Sequence, residues 1–212
     1  MKKVTALKVQ KRNPKRVSVY LDGEYAFGLA RIVAGWLHLE QELSEEKIAE
    51  LLTSDQIEVA MQRAGNFLSY RPRSELEVRQ NLNKHQVDEN IIAQVVHRLK
   101  RDHLINDEEF ARMWVENRSE FRPRGKRLLR YELYQKGIDE QIIQNVLQYV
   151  DEEKLASQAA RKQAQKYRNL EWPDFRKKMS GFLARRGFNY EVISLTIQNV
   201  WEDHLHSPQE YS

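Results

Sequence analysis

Cations stand at one recurring position of this sequence. Arg71 and Arg73 flank Pro72, and 51 residues later Arg122 and Arg124 flank Pro123, followed by Lys126, Arg127 and Arg130. A further group, Arg176, Lys177 and Lys178, comes after Pro173. The planar guanidinium fork grips phosphate or carboxylate oxygens bidentately, so a strip of such residues is chemistry for holding an acidic partner. Cations crowded at a helix start oppose the helix dipole, a mild cost that helix propensity does not explain. On a merely solvated face the same side chains would pair with Glu75, Glu77 or Glu132 on neighbouring turns. A second basic run, Arg161, Lys162, Lys166 and Arg168, is interleaved with Tyr167 and Trp172. Such aromatics can stack on bases, but packing between helices is the favoured role.

Catalytic spacings are missing. The sequence has no phosphate-binding glycine loop, dinucleotide fingerprint, nucleophile elbow or HExxH helix. Histidines 38, 85, 97, 103, 204 and 206 are scattered, and the nearest to a ligand pair, His204 with His206, sits in a polar tail without a third ligand. The absence of cysteine removes disulfides, thiolate zinc sites and a thiol nucleophile, as suits a reducing cytoplasm. Glu108 with Glu109, and Glu152 with Glu153, could be paired acids, but charges at helix N-termini explain them more simply. The expectation is therefore a protein that is not an enzyme and needs no cofactor or metal.

The elements that must carry the cations follow from a repeat. Residues 71–99 and 122–150 share one pattern: Val78 and Leu82 match Leu129 and Leu133, Val87-Asp88-Glu89 matches Ile138-Asp139-Glu140, and Ile91, Ile92, Val95, Val96 and Leu99 match Ile142, Ile143, Val146, Leu147 and Val150. A weaker third copy includes Pro173, Met179, Leu183, Gly187, Phe188, Asn189, Ile193 and Ile197. A near-constant period means a tandem array of units that bury their apolar faces against neighbours.

Each unit reads as three helices. The first helices are predicted at 56–69, 107–120 and 152–168, the latter two capped by Asn106 and Asp151. Pro72, Pro123 and Pro173 break the chain before the second helices, and Ser74 with Glu77 forms a capping box. Gly137 and Gly187 end second helices in the left-handed conformation, which Gln86 must adopt under strain in the first copy. Asp88, Asp139 and Asn189 cap the third helices, with staples of Val87 to Ile92, Ile138 to Ile143 and Phe188 to Ile193.

Residues 4–29 differ from the rest. VTALKVQ, RVSVYLD and EYAFGL are rich in β-branched and aromatic residues and are separated by KRNPK and by Asp22-Gly23, a hairpin signal, so two or three antiparallel strands are expected. RIVAGWL and SEEKIAELL, the latter capped by Ser44, should cover one face as short helices, ending the module near Thr53. The expected divisions are 1–54, 55–105, 106–150, 151–206 and a tail, 207–212. Net charge is only +4, but residues 2–16 hold seven Lys/Arg and no acid, a run that suits phosphate contact or an edge strand protected by lysines. No apolar run is long enough to span a membrane, and the first residues, MKKVTALKVQKR, show no signal-peptide core.

These residues resemble the RecX regulators of the RecA recombinase. The resemblance runs over 56–203, through YRPRSELEVRQNL, NDEEFARMWVENR with RPRGKRLLRYELYQKGI, and FLARRGF, and the initial sheet is similar to the extension of longer members. It implies a mainly α molecule, elongated and curved, of three tandem three-helix units behind a small sheet. It further implies a non-enzymatic, cytoplasmic modulator that lies in the groove of the RecA filament on single-stranded DNA and inhibits ATPase, strand exchange and coprotease activities. Homologous recombination, DNA repair and the SOS response are the implied setting. Some members also bind DNA, so single-stranded and double-stranded DNA are candidate partners; a monomer is expected. Two departures, Gln86 for glycine and Trp172-Pro173-Asp174 for Arg-Pro-Arg, argue against equal roles for the repeats. The rival reading is a direct DNA-binding protein that uses the basic units without RecA.

Overall fold

The structure, a computed structural model, describes the backbone of residues 1–206 and the side chains of 1–203. The His204 and His206 pair lies outside the described side chains. The chain forms two compact units, Met1–Ile105 and Asn106–Ser212.

The first unit begins with β1 (Lys2–Gln10), β2 (Asn13–Leu21) and β3 (Glu24–Ala30), joined as antiparallel hairpins. Asp22 and Gly23 both have positive φ, 50° and 90°, as a primed two-residue turn requires. A fourth strand, β4 (Glu42–Leu43), pairs with Lys2 and Lys3 and completes the order β3-β2-β1-β4. Two residues are too few to show an alternating pattern, which is why the sequence hid it. The inner face, with Val4, Val17, Val19, Leu21 and Leu29, packs on Val33, Ala34, Leu37, Leu43 and Leu51. Of RIVAGWL only α1 (Arg31–Ala34) is helical.

The expected break near Thr53 does not occur. One 24-residue helix, α2 (Glu45–Leu68), runs from the Ser44 cap through the sheet cover and into the first repeat. Thr53-Ser54-Asp55 contains neither proline nor glycine, and the Thr53 hydroxyl donates back to the Ala49 carbonyl at 2.9 Å, so nothing interrupts the helix. Asp55 is turned to the sheet: it accepts bonds from both Arg16 terminal nitrogens, 3.3 and 2.9 Å, and from the Ala30 N–H at 2.5 Å. A carboxylate inside a helix thus clamps the sheet to it.

The repeats follow the predicted punctuation. The last part of α2, α3 (Glu75–Lys84) and α4 (Glu89–Arg101) enclose Ala60, Ala64, Val78, Leu82, Ile92, Val95 and Leu99. In the second unit, α5 (Asp107–Phe121), α6 (Lys126–Gln135) and α7 (Glu140–Leu147) bury Phe110, Val115, Leu129, Leu133 and Ile143. Then α8 (Glu152–Ala164), ending in a 3-10 turn over Gln165–Tyr167, packs with α9 (Trp172–Arg185) and α10 (Tyr190–His206) around Phe175, Met179, Leu183, Phe188 and Ile197. Tyr167 and Trp172 are partly buried against this core, as the packing role anticipated.

All three second helices end in the same paired bonds: Val87 N–H to Leu82 O with Gln86 N–H to Asn83 O, and the equivalents at Ile138 and Gly137 and at Phe188 and Gly187. Gly137 and Gly187 have φ of 75° and 86°, and Gln86 adopts 59° in spite of its side chain. Pro173 departs from expectation. It lies inside the first turn of α9, after Glu171 at the cap, where a proline's missing N–H has no helical partner to lose. Among the described residues no helix is long and apolar enough to cross a membrane.

Candidate functional site

The second repeat builds its corner around one carboxylate. Glu132 on α6, its side chain only 12% exposed, accepts the Trp114 indole N–H at 2.8 Å and the Arg118 Nε–H at 3.0 Å, and also pairs with Arg124. The Arg118 guanidinium stacks 4.2 Å above Trp114, so ring and carboxylate fix it from two directions. Arg118 and Arg122 close the last turn of α5, where the helix dipole favours cations.

The third repeat completes the corner. Gly125 donates its N–H to the Arg186 carbonyl at 2.9 Å, and Arg186 Nη1 donates to the Pro123 carbonyl, also at 2.9 Å. The backbones touch because both partners are glycine. A Cβ on Gly125 would stand 2.3 Å from the Gly187 carbonyl oxygen, and one on Gly187 2.4 Å from the Leu128 Cβ. Arg-Pro-Arg-Gly and Arg-Arg-Gly-Phe are therefore two halves of one structure. Two guanidiniums, of Arg118 and Arg124, pair with Glu132, and those of Arg122 and Arg186 stand close enough to repel Arg124. Burial lowers the Arg124 pKa from its ordinary value, and repulsion from Arg118, Arg186 and Arg122 lowers it further. Arg186 is lowered in the same way, by burial and then by Arg122. An anion entering here would relieve that repulsion, which makes the corner receptive to phosphate or carboxylate.

The remaining predicted residues separate by environment. Lys126, Arg127 and Arg130 line a hollow of about 410 Å³ with Gln144, Leu147 and Gln148. Arg127 donates to the Ala184 carbonyl at 3.3 Å and Arg130 pairs with Glu140 at 2.6 Å. In the first repeat Arg71 grips Glu77 through two bonds of 2.9 and 3.2 Å. Arg73 lies 3.9 Å over Phe67 with its Nε buried and unbonded; burial lowers its pKa, and Arg71 adds to this against the pull of Glu77. Arg176, Lys177 and Lys178 are exposed on α9, with Lys178 above Tyr167 at 6.0 Å.

Three contributors escaped sequence reasoning. Arg118 and Arg186 belong to the corner but precede the Arg-Pro-Arg motif or lie outside it. Glu152 stands in the first turn of its own helix as expected, and it also accepts the Lys126 N–H at 3.1 Å and so caps α6 from the third repeat. The available signal was two glycines, Gly125 before the second helix of its repeat and Gly187 after the second helix of the next. A broader groove of about 1300 Å³ between α5, α7 and α8 has charges of both signs, among them Glu108, Glu116, Arg112 and Arg161. No group of histidine and carboxylate side chains suited to a metal occurs among the described residues.

Together these features define a protein of tandem three-helix domains behind a small antiparallel sheet, with a guanidinium corner between its last two repeats. Family models match each part: the regulatory protein RecX N-terminal domain over residues 2–44, and the first, second and third RecX three-helix domains over 60–99, 106–147 and 151–197. The regulatory protein RecX of Bacillus cytotoxicus is 31% identical, with 98% of this chain and 80% of that protein covered. The Bacillus subtilis protein of the same name is 32% identical over 93% and 76%. A crystal structure of regulatory protein RecX superposes with a TM-score of 0.77 at 30% identity, covering 94% of this chain and all of the other. RecX from Lactobacillus salivarius gives 0.63 at 28% identity over 70% and 99%. The chain belongs to the RecX family of regulatory proteins.

Proposed function

We propose that this protein binds the RecA filament on single-stranded DNA and lowers its recombinase, ATPase and coprotease activities, by binding and without catalysis. The family membership supports a regulatory role, and the observation that carries the contact is the corner where Arg122 and Arg186 crowd an Arg124 that already shares Glu132 with Arg118. Such a site matches an acidic surface or a phosphate backbone, both of which a nucleoprotein filament offers. Arg122, Arg124 and Arg186 are the first contacts on this reading. Lys126, Arg127, Arg130, Arg176, Lys177 and Lys178 extend the contact, and Arg71 and Arg73 form a separate patch. The role implies a cytoplasmic protein acting as a monomer.

A second reading, direct DNA binding through the same cations, draws on Arg122, Lys126, Arg176 and Lys177, whose side chains have no hydrogen bond or ion pair among the described residues. The test is the DNA-dependent ATPase of RecA titrated with this protein, beside its binding to the bare DNA at two salt concentrations. Inhibition well below the concentration that coats the DNA supports filament binding. Inhibition only at DNA saturation, or none, overturns it in favour of the second reading.

A further inference from the structure

The outer face of the N-terminal sheet has no covering element described, and its composition is unusual. Strand register puts Ala6 with Tyr20, Lys8 with Ser18, Ser18 with Gly28 and Tyr20 with Tyr25 on one face, opposite the buried face of Val17, Val19 and Leu29. Gln10 joins them, donating to the Ser18 hydroxyl at 3.3 Å. Tyr25 is 59% exposed, and its hydroxyl lies 3.7 Å from where a Cβ on Gly28 would stand. The ring therefore lies along β3 towards Gly28, where the Gln10 amide, 2.9 Å from that same point, and the Arg16 guanidinium, at 3.6 Å, take the room a side chain would fill. Tyr20 meets Tyr25 edge to face at 5.9 Å, and Lys8 holds its ammonium 4.9 Å over the Tyr20 ring.

The charge around this face has one sign over most of its length. Residues 2–16 carry seven cations and no acid. Two of the seven are engaged, Lys3 with Glu40 and Arg16 with Asp55. Lys8, Lys11, Arg12 and Lys15 are exposed without an ion pair among the described residues, the last three at the β1–β2 hairpin end. Acids stand at the opposite end, Asp22, Glu24, Glu40 and Glu42, and Asp55 of α2 reaches Arg16. An edge-to-face aromatic pair beside a cationic rim offers unpaired bases on a phosphate backbone rings to stack on and ammonium groups to follow the chain.

We propose that this face is a stacking platform for single-stranded nucleic acid, in which Tyr25 and Tyr20 take bases while Lys8 and the hairpin end take phosphates. The platform uses none of the residues of the guanidinium corner and needs no RecA. A duplex fits it poorly, because paired and stacked bases offer no free face.

The experiment uses the full chain. Photocrosslinking to an oligonucleotide bearing 5-iododeoxyuridine, with the modified peptide mapped by mass spectrometry, is expected to label Tyr20 or Tyr25. Fluorescence anisotropy with oligothymidylate and oligouridylate is expected to show Tyr25→Ala binding about 5- to 100-fold more weakly, with Tyr25→Phe close to wild type because the ring is retained. Lys8→Gln should reduce the salt dependence by about 0.7 of a log unit per log unit of salt, the loss of one phosphate contact to a single strand. Weaker binding of the Tyr25→Ala protein to either strand type upholds the platform and identifies its ligand. Labels confined to residues after Ala30, or a Tyr25→Ala protein that binds like wild type, would overturn it. So would duplex bound as tightly as single strand with equal indifference to that substitution.

Discussion

Replacing Gly125 by alanine should separate the two halves of the guanidinium corner. The added methyl would stand 2.3 Å from the Gly187 carbonyl oxygen, 2.5 Å from its carbon and 2.6 Å from the Phe188 nitrogen, all backbone atoms that cannot swing aside. Relief requires the α9–α10 turn to move by about 1 Å, since carbon to oxygen contacts settle near 3.5 Å. Overpacking of this kind costs about 1–3 kcal/mol. The shift also stretches the 2.9 Å bond from the Gly125 N–H to the Arg186 carbonyl, at about 0.5–1.5 kcal/mol. The expected loss is about 1.5–4.5 kcal/mol, read by urea unfolding with a probe in the second unit, such as the fluorescence of Trp114, Trp172 and Trp201. Gly65→Ala is the contrasting case, because nothing lies within 4 Å of its Cβ position and it sits inside α2; a gain of about 0.5–1 kcal/mol is expected. A Gly125→Ala protein within about 0.5 kcal/mol of wild type would refute the close approach on which the corner depends.

Other substitutions test other joints. Asp55→Ala removes the acceptor of Arg16 and of the Ala30 N–H, and should cost about 2–3 kcal/mol in the first unit, less than a fully buried pair because Arg16 is 27% exposed; a loss below about 0.5 kcal/mol in chemical denaturation would mean the clamp is idle. Gln86→Gly relieves a left-handed residue at φ 59° and should raise the stability of the first unit by about 0.5–1 kcal/mol, whereas a lower melting temperature would show that the Gln86 side chain contributes more than its strain. Trp114→Phe keeps the ring beneath Arg118 but leaves Glu132 without its indole donor, so a loss of about 1–2 kcal/mol is expected, and an unchanged unfolding midpoint would show that the carboxylate does not need it.

The repeat made most of the helical punctuation readable. Asp88, Asp139 and Asn189 cap where their side chains predict, because a cap is a local bond between a residue and the two or three that follow it. Gly137, Gly187 and Gln86 likewise reveal themselves, since the left-handed turn is set within six residues. The joins between elements were less legible. A helix is expected only from residue 56, and only the distances of Asp55 to Arg16 and Ala30 show that it serves the sheet in mid-helix. The same holds at the corner, where Arg124 was visible in its motif but Arg186 and Glu152, 62 and 28 residues later, reach it only through tertiary contact. Ion pairs, too, are chosen by geometry: Arg71 and Arg130 are neutralised by Glu77 and Glu140, while Arg122 in the same strip of sequence is not.

Arg122 therefore offers the most direct test of the functional account. Its side chain makes no described bond, so Arg122→Glu should leave the unfolding midpoint near that of wild type while reversing a charge beside Arg124 and Arg186. Losing one charge-assisted contact predicts that roughly ten- to hundredfold more protein is needed to halve the DNA-dependent ATPase of RecA. A folded Arg122→Glu protein that inhibits as well as wild type would contradict the claim that the guanidinium corner grips the filament.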